Sequence, residues 1–312
     1  MTRISDLVPN EKVLGNLVNA LLPEYNPLIN SGLVARAPEV DAVVSGGSRK
    51  QGLAFINPLA ADEANTASDD LSVQGAYGKL TADEFNAIRL DRNYGWGTSD
   101  LTRMVTQYDV KGGIQAGIAA YWARQFELTA TSAMVGALAA APSLTVGDGT
   151  AAFDTDLIID ATVEAGEYMD LFDVLIVSPA TKAKMMKMNS ANTFVRASDN
   201  GIKIDTWGGY KLITSKAFGD DTTIVARSGA IAFGEGVIAG EVPFEVERVA
   251  NGGNGQGGDI LHSRRSYVVH PQGFSYKATN VAPTNANLEA ASAWELAVDA
   301  EMVGFRAISH LA

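Results

Sequence analysis

The stretch Ser99–Ala141 reads SDLTRMVTQYDVKGGIQAGIAAYWARQFELTATSAMVGALAAA, and it decides the fold. Thr98, Ser99 and Asp100 supply side-chain oxygens that can cap a first short helix through Tyr108, and Asp109 can cap a longer second one. From there Ile114, Ile118, Tyr121, Gln125, Leu128, Ser132 and Val135 recur at steps of three and four. Trp122, Phe126, Thr129 and Ala133 lie beside that stripe. This is the period of an amphipathic helix with a wide buried face. Pro142 ends it, because proline cannot donate the helical hydrogen bond. At 1.5 Å per residue, Asp109 to Ala141 spans roughly 50 Å, against an average helix of about three turns. A coiled coil needs sustained heptads with charged flanks. Here the flanks are Gly, Ala and Thr, so a long helix lying across a sheet fits better.

Outside this rod, composition sets the bounds. The chain has 312 residues, 46% of them hydrophobic, enough for one large domain or two ordinary ones. Its formal net charge of -12 makes a nucleic-acid-binding surface a poor fit and favours mutual repulsion of copies. With no cysteine, disulfides, thiolate metal sites and thiol nucleophiles are excluded. No signal peptide or membrane span is visible. The most apolar run, Ile114 to Ala141, is broken by Gln115, Arg124, Gln125 and Glu127.

N-terminal to the rod, residues 1–45 read as an arm. Glu11 to Leu22 can form a short helix, which Tyr25-Asn-Pro breaks. Residues 46–97 are the least globular part. Gly52 to Leu59 suits a strand, and ADEANTASDDLS (61–72) is polar without periodicity. Loops of that length tend to be functional or disordered. Thr81 to Arg92 fits helix and strand equally. Together these read as a long hairpin-like excursion that rejoins the body near Trp96.

C-terminal to the rod, residues 143–250 alternate helix and strand. Asp154 or Thr155 can cap a helix through Tyr168, with Leu157, Ile158, Ala161, Val163 and Ala165 available for burial. Phe172 to Val177 (FDVLIV) suits a strand covered on both faces. Ser178-Pro179 starts a helix whose Lys182, Lys184 and Lys187 read as a solvated face. Trp207-Gly-Gly turns into a strand Tyr210 to Thr214, and strands follow at Ile224–Phe233 and Val242–Val249. Beyond the flexible NGGNGQGG, Arg264–His270 and Phe274–Tyr276 read as strands. Leu288–Leu296 reads as a short helix with Trp294 on its apolar side, and Met302–Ser309 as a final strand.

Catalytic constellations are not found. Gly253, Gly255 and Gly258 match G-x-G-x-x-G, but a dinucleotide site needs that motif between a strand and a helix. His262, His270 and His310 have no partner at metal-ligand spacing. His270 precedes Pro271, where a structural hydrogen bond is expected. Asp69-Asp70 and Asp220-Asp221 lack calcium-loop spacing and read as solvated acids. No catalytic, cofactor or metal site is assigned.

Three stretches resemble the major capsid (head) proteins of tailed bacteriophages with the Hong Kong 97-type fold. The first is Gly95-Trp-Gly-Thr-Ser-Asp-Leu101 with Asp109 and Ala120-Tyr-Trp-Ala-Arg124. It is similar to the family's entry into its spine helix, although Gly-x-Asp-Pro is replaced by Gln107-Tyr-Asp-Val110. The second is Gly229-Ala-Ile-Ala-Phe233 with Glu245-Val-Glu-Arg248. The third and most specific runs from Gly257 to Tyr276 and includes Arg264, Arg265, His270 and Pro271. It is followed by Pro283–Leu288 and Trp294-Glu295.

The resemblance implies an α+β capsid fold: an N-terminal arm (1–45), an extended E-loop (46–97), a P-domain spine-helix region (98–152), an A-domain (153–250) and a P-domain return segment (251–312). It implies that Ile114, Ile118, Trp122 and Phe126 pack the spine helix, and that Arg264, Arg265, His270, Pro271 and Trp294 are structural. The implied function is a non-enzymatic protein that self-assembles, through pentamers and hexamers, into an icosahedral head enclosing double-stranded DNA without sequence-specific binding. The implied location is the virion, assembled in the bacterial host cytoplasm, with no membrane partner. Scaffolding, portal and decoration proteins are further partners that the family admits. Because the chain begins with Met at the arm, a scaffold would be separate or absent. Some relatives crosslink a lysine to an asparagine. Lys50 and Lys79 lie in the right segment, but no asparagine partner is fixed. The alternatives are an encapsulin-like compartment shell, which the long arm and the Arg-Arg-x-Tyr-x-x-His-Pro-x-Gly block oppose, and an α/β enzyme using residues 153–250.

Overall fold

The computed structural model describes residues 27–56, 59, 62–67, 69, 70, 72–106, 109–188, 194–196, 205–238 and 240–311. The expected helix at 11–22 and its break at Tyr25 lie outside them. The described chain opens with α1 (Pro27–Asn30), β1 (Val34–Arg36) and α2 (Pro38–Ser45). Proline begins α2, where its missing N–H has no helical partner to lose. The Val44 and Gly46 carbonyls at the end of α2 accept from Arg89 Nη1 at 3.2 and 2.7 Å. That side chain also holds Asp91 at 3.0 Å.

Strand β2 (Lys50–Ile56) pairs antiparallel with the long strand β3 (Ala82–Ser99), from Lys50 opposite Ile88 to Ile56 opposite Ala82. The ambiguous segment Thr81–Arg92 is therefore strand. Non-local pairing breaks the tie, with β2 on one flank and a later strand on the other. The expected strand at Gly52–Leu59 begins at Lys50 and stops at Ile56.

Ser99 Oγ accepts from the Thr102 amide at 3.2 Å and starts α3 (Asp100–Thr106). Asp109 Oδ1 accepts from the Gly112 amide at 3.0 Å and starts α4 (Val110–Ala140), which ends just before Pro142. The buried line differs from the expected stripe. Leu128 is exposed, and Gln125 and Val135 are only half-buried. The interior positions include Val110, Ile118, Trp122, Thr129, Ala130, Ser132, Ala133, Met134, Ala137 and Leu138, so Ile118 and Ser132 of the expected stripe are among them. Every residue from Thr129 to Met134 is buried, so the far half of the helix is enclosed on most sides and carries no amphipathic period to read.

The middle of the chain builds a second sheet from β4 (Thr145–Val146), β5 (Val174–Val177), β6 (Phe194–Arg196), β7 (Asp205–Trp207), β8 (Tyr210–Thr214) and β9 (Thr222–Ala226). Helix α5 (Asp156–Val163) and helix α6 (Pro179–Met188) connect them. Ser178 Oγ caps α6 through the Thr181 amide at 3.1 Å. Strand β5 is covered on both faces, as FDVLIV implies. Val174 and Ile176 join the core under α4, while Leu175 and Val177 join a second core under α5 and α6. Helix α5 is shorter than expected and leaves Val163 exposed, because the chain turns at Gly166 with φ 55°. No side chain caps its first turn; Asp154 Oδ1 instead accepts from the Thr155 amide at 2.6 Å.

The apolar run Ile224–Phe233, expected as one strand, is two. Strand β9 ends at Ala226, and after a turn at Gly229 (φ 78°) β10 (Ile231–Gly236) enters a different sheet. That first sheet has the order β1-β10-β12-β3-β2, with β11 (Phe244–Val249) also on β12 (Gly258–Pro271). NGGNGQGG is the turn between β11 and β12, so its glycines precede a strand and form no dinucleotide cradle.

The last segment contains β13 (Phe274–Tyr276), α7 (Asn285–Leu288), β14 (Trp294–Leu296) and β15 (Phe305–Ser309), and β15 completes the second sheet between β4 and β9. The helix expected at Leu288–Leu296 does not form. Trp294 sits in β14 opposite Tyr276, and its indole donates to the Leu288 carbonyl at 2.7 Å. The fold is mixed α+β. Among the described residues, no helix is long and apolar enough to cross a membrane.

Candidate assembly surfaces

The core has one organising line. Trp122 is 3% exposed, and its indole donates to Ser263 Oγ on β12 at 2.9 Å. Phe126 packs edge-on against Tyr267 with centroids 4.7 Å apart, and the Tyr267 hydroxyl reaches Thr129 Oγ1 at 3.1 Å. Ile114 is partly buried at the edge of the same cluster. Farther along, a Cβ at Gly136 would collide with the Leu288 carbonyl and the Trp294 ring, so glycine lets α4 and the α7–β14 segment touch backbone to side chain. These contacts hold α4 against β12, which in turn pairs with β3.

The β2–β3 hairpin carries a set of exposed apolar side chains. Leu59, Val73, Tyr77 and Leu80 lie open beyond the paired arms, Ile56 lies open at their last pair, and Tyr77 is 93% exposed. The polar tip is shaped by side-chain amides and carboxylates. Asn65 makes two bonds to Ala76, accepting from its N–H and donating to its carbonyl, each at 2.9 Å. Asp70 Oδ1 accepts from the Ser72 amide at 2.9 Å, and these Ser72 bonds hold its carboxyl below the ordinary carboxylate range. Further open apolar side chains lie on α3, at Leu101 and Met104, and on β11, at Phe244 and Val246. Among the described residues, β2 pairs only with β3, and β11 only with β12. Both therefore present an unpaired backbone edge.

The charges on β11 are met within the chain. Arg248 bridges Asp100 at 2.6 Å and Asp259 at 3.2 Å. Its hydrogen bond depresses the Asp100 carboxyl. Glu245 holds Arg264 at 2.8 Å and Glu247 holds His262 at 3.0 Å. Arg264 also donates to the Val242 carbonyl at 3.0 Å, so it sits at the rim, away from the core. Arg265 holds Glu235 at 2.8 Å and covers the Phe244 ring. Pro271 closes β12 opposite Ile231.

His270 is buried and stacked on Phe85 with centroids 5.0 Å apart, and its ring nitrogens make no well-formed hydrogen bond among the described residues, with the Phe274 backbone close enough to act on the ring. Burial pushes its pKa down to about 4, partly offset by the nearby Phe274 backbone, so the ring is neutral near pH 7.

Several of these features escape the sequence. The Arg89–Asp91 knot with Arg49, and the buried Arg306 that donates to the Glu164 and Ala300 carbonyls at 3.2 and 2.9 Å, have no local signal. Glu127 has one, a lone acid on an apolar helix. Burial raises its pKa to about 7, the Leu28 backbone opposes this, and its Oε2 has no partner among the described residues. Lys50 lies 5.7 Å from the Tyr276 ring centroid. Lys184 donates to the Leu311 carbonyl at 3.1 Å. Among the described residues, no cluster of three acidic or histidine side chains could hold a metal.

No protein-family model matches the chain. It is 25% identical to the major capsid protein of Bacillus phage SPP1 over 329 aligned positions, covering 99% of this chain and 98% of that protein. Its fold is similar to the capsid of Ralstonia phage GP4, with a TM-score of 0.60 at 12% identity over 88% of this chain and 93% of that one. It is also similar to a structure from Microbacterium phage Oxtober96, with a TM-score of 0.54 at 12% identity over 90% of both chains.

Proposed function

We infer that the chain is the major capsid protein of a tailed bacteriophage: a structural subunit of the Hong Kong 97-type fold that self-assembles into the icosahedral head around double-stranded DNA. The end-to-end match to the capsid protein of phage SPP1 carries the reading. The exposed apolar hairpin supports it, since such a patch with no core of its own marks an interaction surface.

On this reading residues 1–45 serve as the arm, 46–97 as the E-loop, 98–152 as the spine-helix region and 251–312 as the return segment. The A-domain begins at 153, and the chain leaves its sheet at the Arg227–Ala230 turn before the segment ends at 250. Assembly is multivalent, with each modest contact repeated around pentamers and hexamers. DNA is enclosed without base readout, because the acidic chain repels phosphate. Subunits assemble in the host cytoplasm, with portal, scaffolding and decoration proteins as further partners.

Negative-stain microscopy of the purified chain tests the reading. Closed particles of uniform diameter are expected, and packaged DNA in particles from infected cells separates a phage head from a compartment shell. A chain that sediments only as a monomer across salt and pH defeats it.

A further inference from the structure

We propose that the acidic, apolar face of α5 on one subunit docks head to tail on the basic face of α6 on a second copy. This rests on the shell-forming reading and assigns two complementary surfaces within it.

Charge in this part of the chain is sharply divided. From Gln125 to Thr181 there are nine acidic residues and no Lys or Arg. From Lys182 to Lys216 there are seven Lys and Arg against two Asp, in a chain whose net charge is -12. The fold lays both blocks on one sheet. Ile158 and Ala161 of α5 and Met185 of α6 share one core cluster on the second sheet. Helix α5 lies on β4, β15 and β9, and α6 leaves from β5.

Each helix keeps a side that its own subunit does not use. On α5, Ile159 and Val163 are one turn apart and 57% and 55% exposed, with Asp156 and Asp160 open beside them. The turn Gly166–Leu171 extends this surface with Glu167, Asp170 and Leu171. A helix packed on a core turns polar residues outward, so a pair of β-branched apolar side chains in solvent marks a face that is covered in use. On α6, Ala180, Ala183, Met186 and Lys187 share the open side. Among the described residues Asp156, Asp160, Glu167, Asp170 and Lys187 make no ion pair, whereas Asp173 holds Lys211 at 2.9 Å.

The occupant follows from charge. One face carries unused acids and the other an unused cation, so a second copy supplies what each face lacks. Closed rings of subunits need two different patches that meet head to tail, and these two faces are such a pair. The apolar side chains supply affinity, while the exposed charges fix which faces meet and in what orientation.

Carbodiimide joins an amine to a carboxylate only where the two touch. In particles assembled from the purified chain, it should give covalent oligomers beyond the dimer, with peptide maps that join Lys187 to an acid between 156 and 170. Asp160→Lys lowers the net negative charge, which by repulsion alone would ease assembly. It should instead raise the subunit concentration needed for assembly on the order of tenfold at low salt, with a smaller effect at high salt. Adding Lys187→Glu to it should bring the threshold back toward wild type. Ile159→Ser with Val163→Ser should raise the threshold on the order of tenfold at every salt concentration. The free subunit's thermal midpoint should stay unchanged in the charge variants. An Asp160→Lys chain that assembles at or below the wild-type threshold, or particles without coupling of Lys187 to an acid of another subunit, overturn this contact and leave the shell reading intact. A wild-type chain that never forms particles removes the shell reading, and the contact with it.

Discussion

Replacing Trp122 with alanine tests how the long helix is held. The ring is almost wholly buried between α4 and β12, with Tyr121 and Phe126 5.4 and 6.2 Å away by centroid. Loss of a core tryptophan costs about 3–5 kcal/mol in transfer energy and cavity formation. Its indole also satisfies Ser263 Oγ, which is fully buried, and an abandoned buried hydroxyl adds about 1–3 kcal/mol. The expected loss is therefore about 4–8 kcal/mol, a large share of the roughly 5–15 kcal/mol that holds an ordinary domain. Trp122→Phe keeps much of the ring and loses the hydrogen bond, for about 1–2 kcal/mol. Phe126→Ala, at a half-buried position, should cost about 2–3 kcal/mol. Urea unfolding of unassembled subunits, followed by circular dichroism, measures all three. A Trp122→Ala midpoint within about 1 kcal/mol of wild type refutes the packing account.

Two titrations pull stability in opposite directions. Glu127 has a folded pKa near 7 against an ordinary 4.5, so its contribution is complete below about pH 4.5 and is lost as pH rises through 7. Glu127→Gln should remove that loss and gain about 1–2 kcal/mol at pH 8, a figure reduced for the carboxyl's partial solvent access. His270, depressed to about 4 from 6.5, stabilises above pH 6.5 and loses that contribution as pH falls toward 4. Urea midpoints at pH 4–8 for Glu127→Gln and His270→Phe should flatten the alkaline and acid limbs respectively. Gly136→Ala improves helix propensity by about 1 kcal/mol yet should destabilise, because its Cβ meets the Leu288 carbonyl. A stabilised variant contradicts the close approach. Deleting Asp62–Asp70 should leave the subunit's melting point nearly unchanged and impair assembly. Hydrogen exchange should find this segment protected in particles and open in free subunits, and equal protection in both counts against an intersubunit role.

Much of the frame was legible because its signals are local. Asp109 and Pro142 bound α4 by capping and by a missing donor, and both do so in the structure. Ser178-Pro179 does the same for α6. The face of α4 was less legible. The stripe drawn through Leu128 is displaced because the far half of the helix is enclosed, and an enclosed helix has no polar side to contrast with. The β9–β10 break escaped for a related reason. Both strands are buried, so the apolar run continues across the turn, and only Gly229 hints that the chain changes sheets. Trp294 was placed on a helix because Leu288–Leu296 has a helical period, but pairing of β14 with β13 overrides it. The hairpin was legible as a long excursion because its polar run 61–72 has no period. A cavity under it was not, because Val40, Phe85, His270 and Met302 meet only through the fold.

Charge decides what kind of contact can assemble these subunits. Each copy carries a formal -12, so copies repel at long range. The cations near β11 do not offset this: Arg248, Arg264 and Arg265 are spent on Asp100, Asp259, Glu245 and Glu235 of the same chain. Exposed apolar side chains remain as attractive surface on the hairpin, on α3, on β11, and along α5 and α6 with the segment between them, where Ile159, Leu171 and Met188 stand open. Salt shortens the screening length from about 10 Å at 0.1 M to about 3 Å at 1 M, weakening repulsion while leaving apolar burial in place. Assembly should therefore begin at lower subunit concentration as sodium chloride rises, and at lower concentration still in sulfate, which strengthens apolar burial. Light scattering across a concentration series at fixed pH measures the threshold. If ion pairs between subunits drive assembly instead, the threshold climbs with salt, and an upward trend would reject the apolar account.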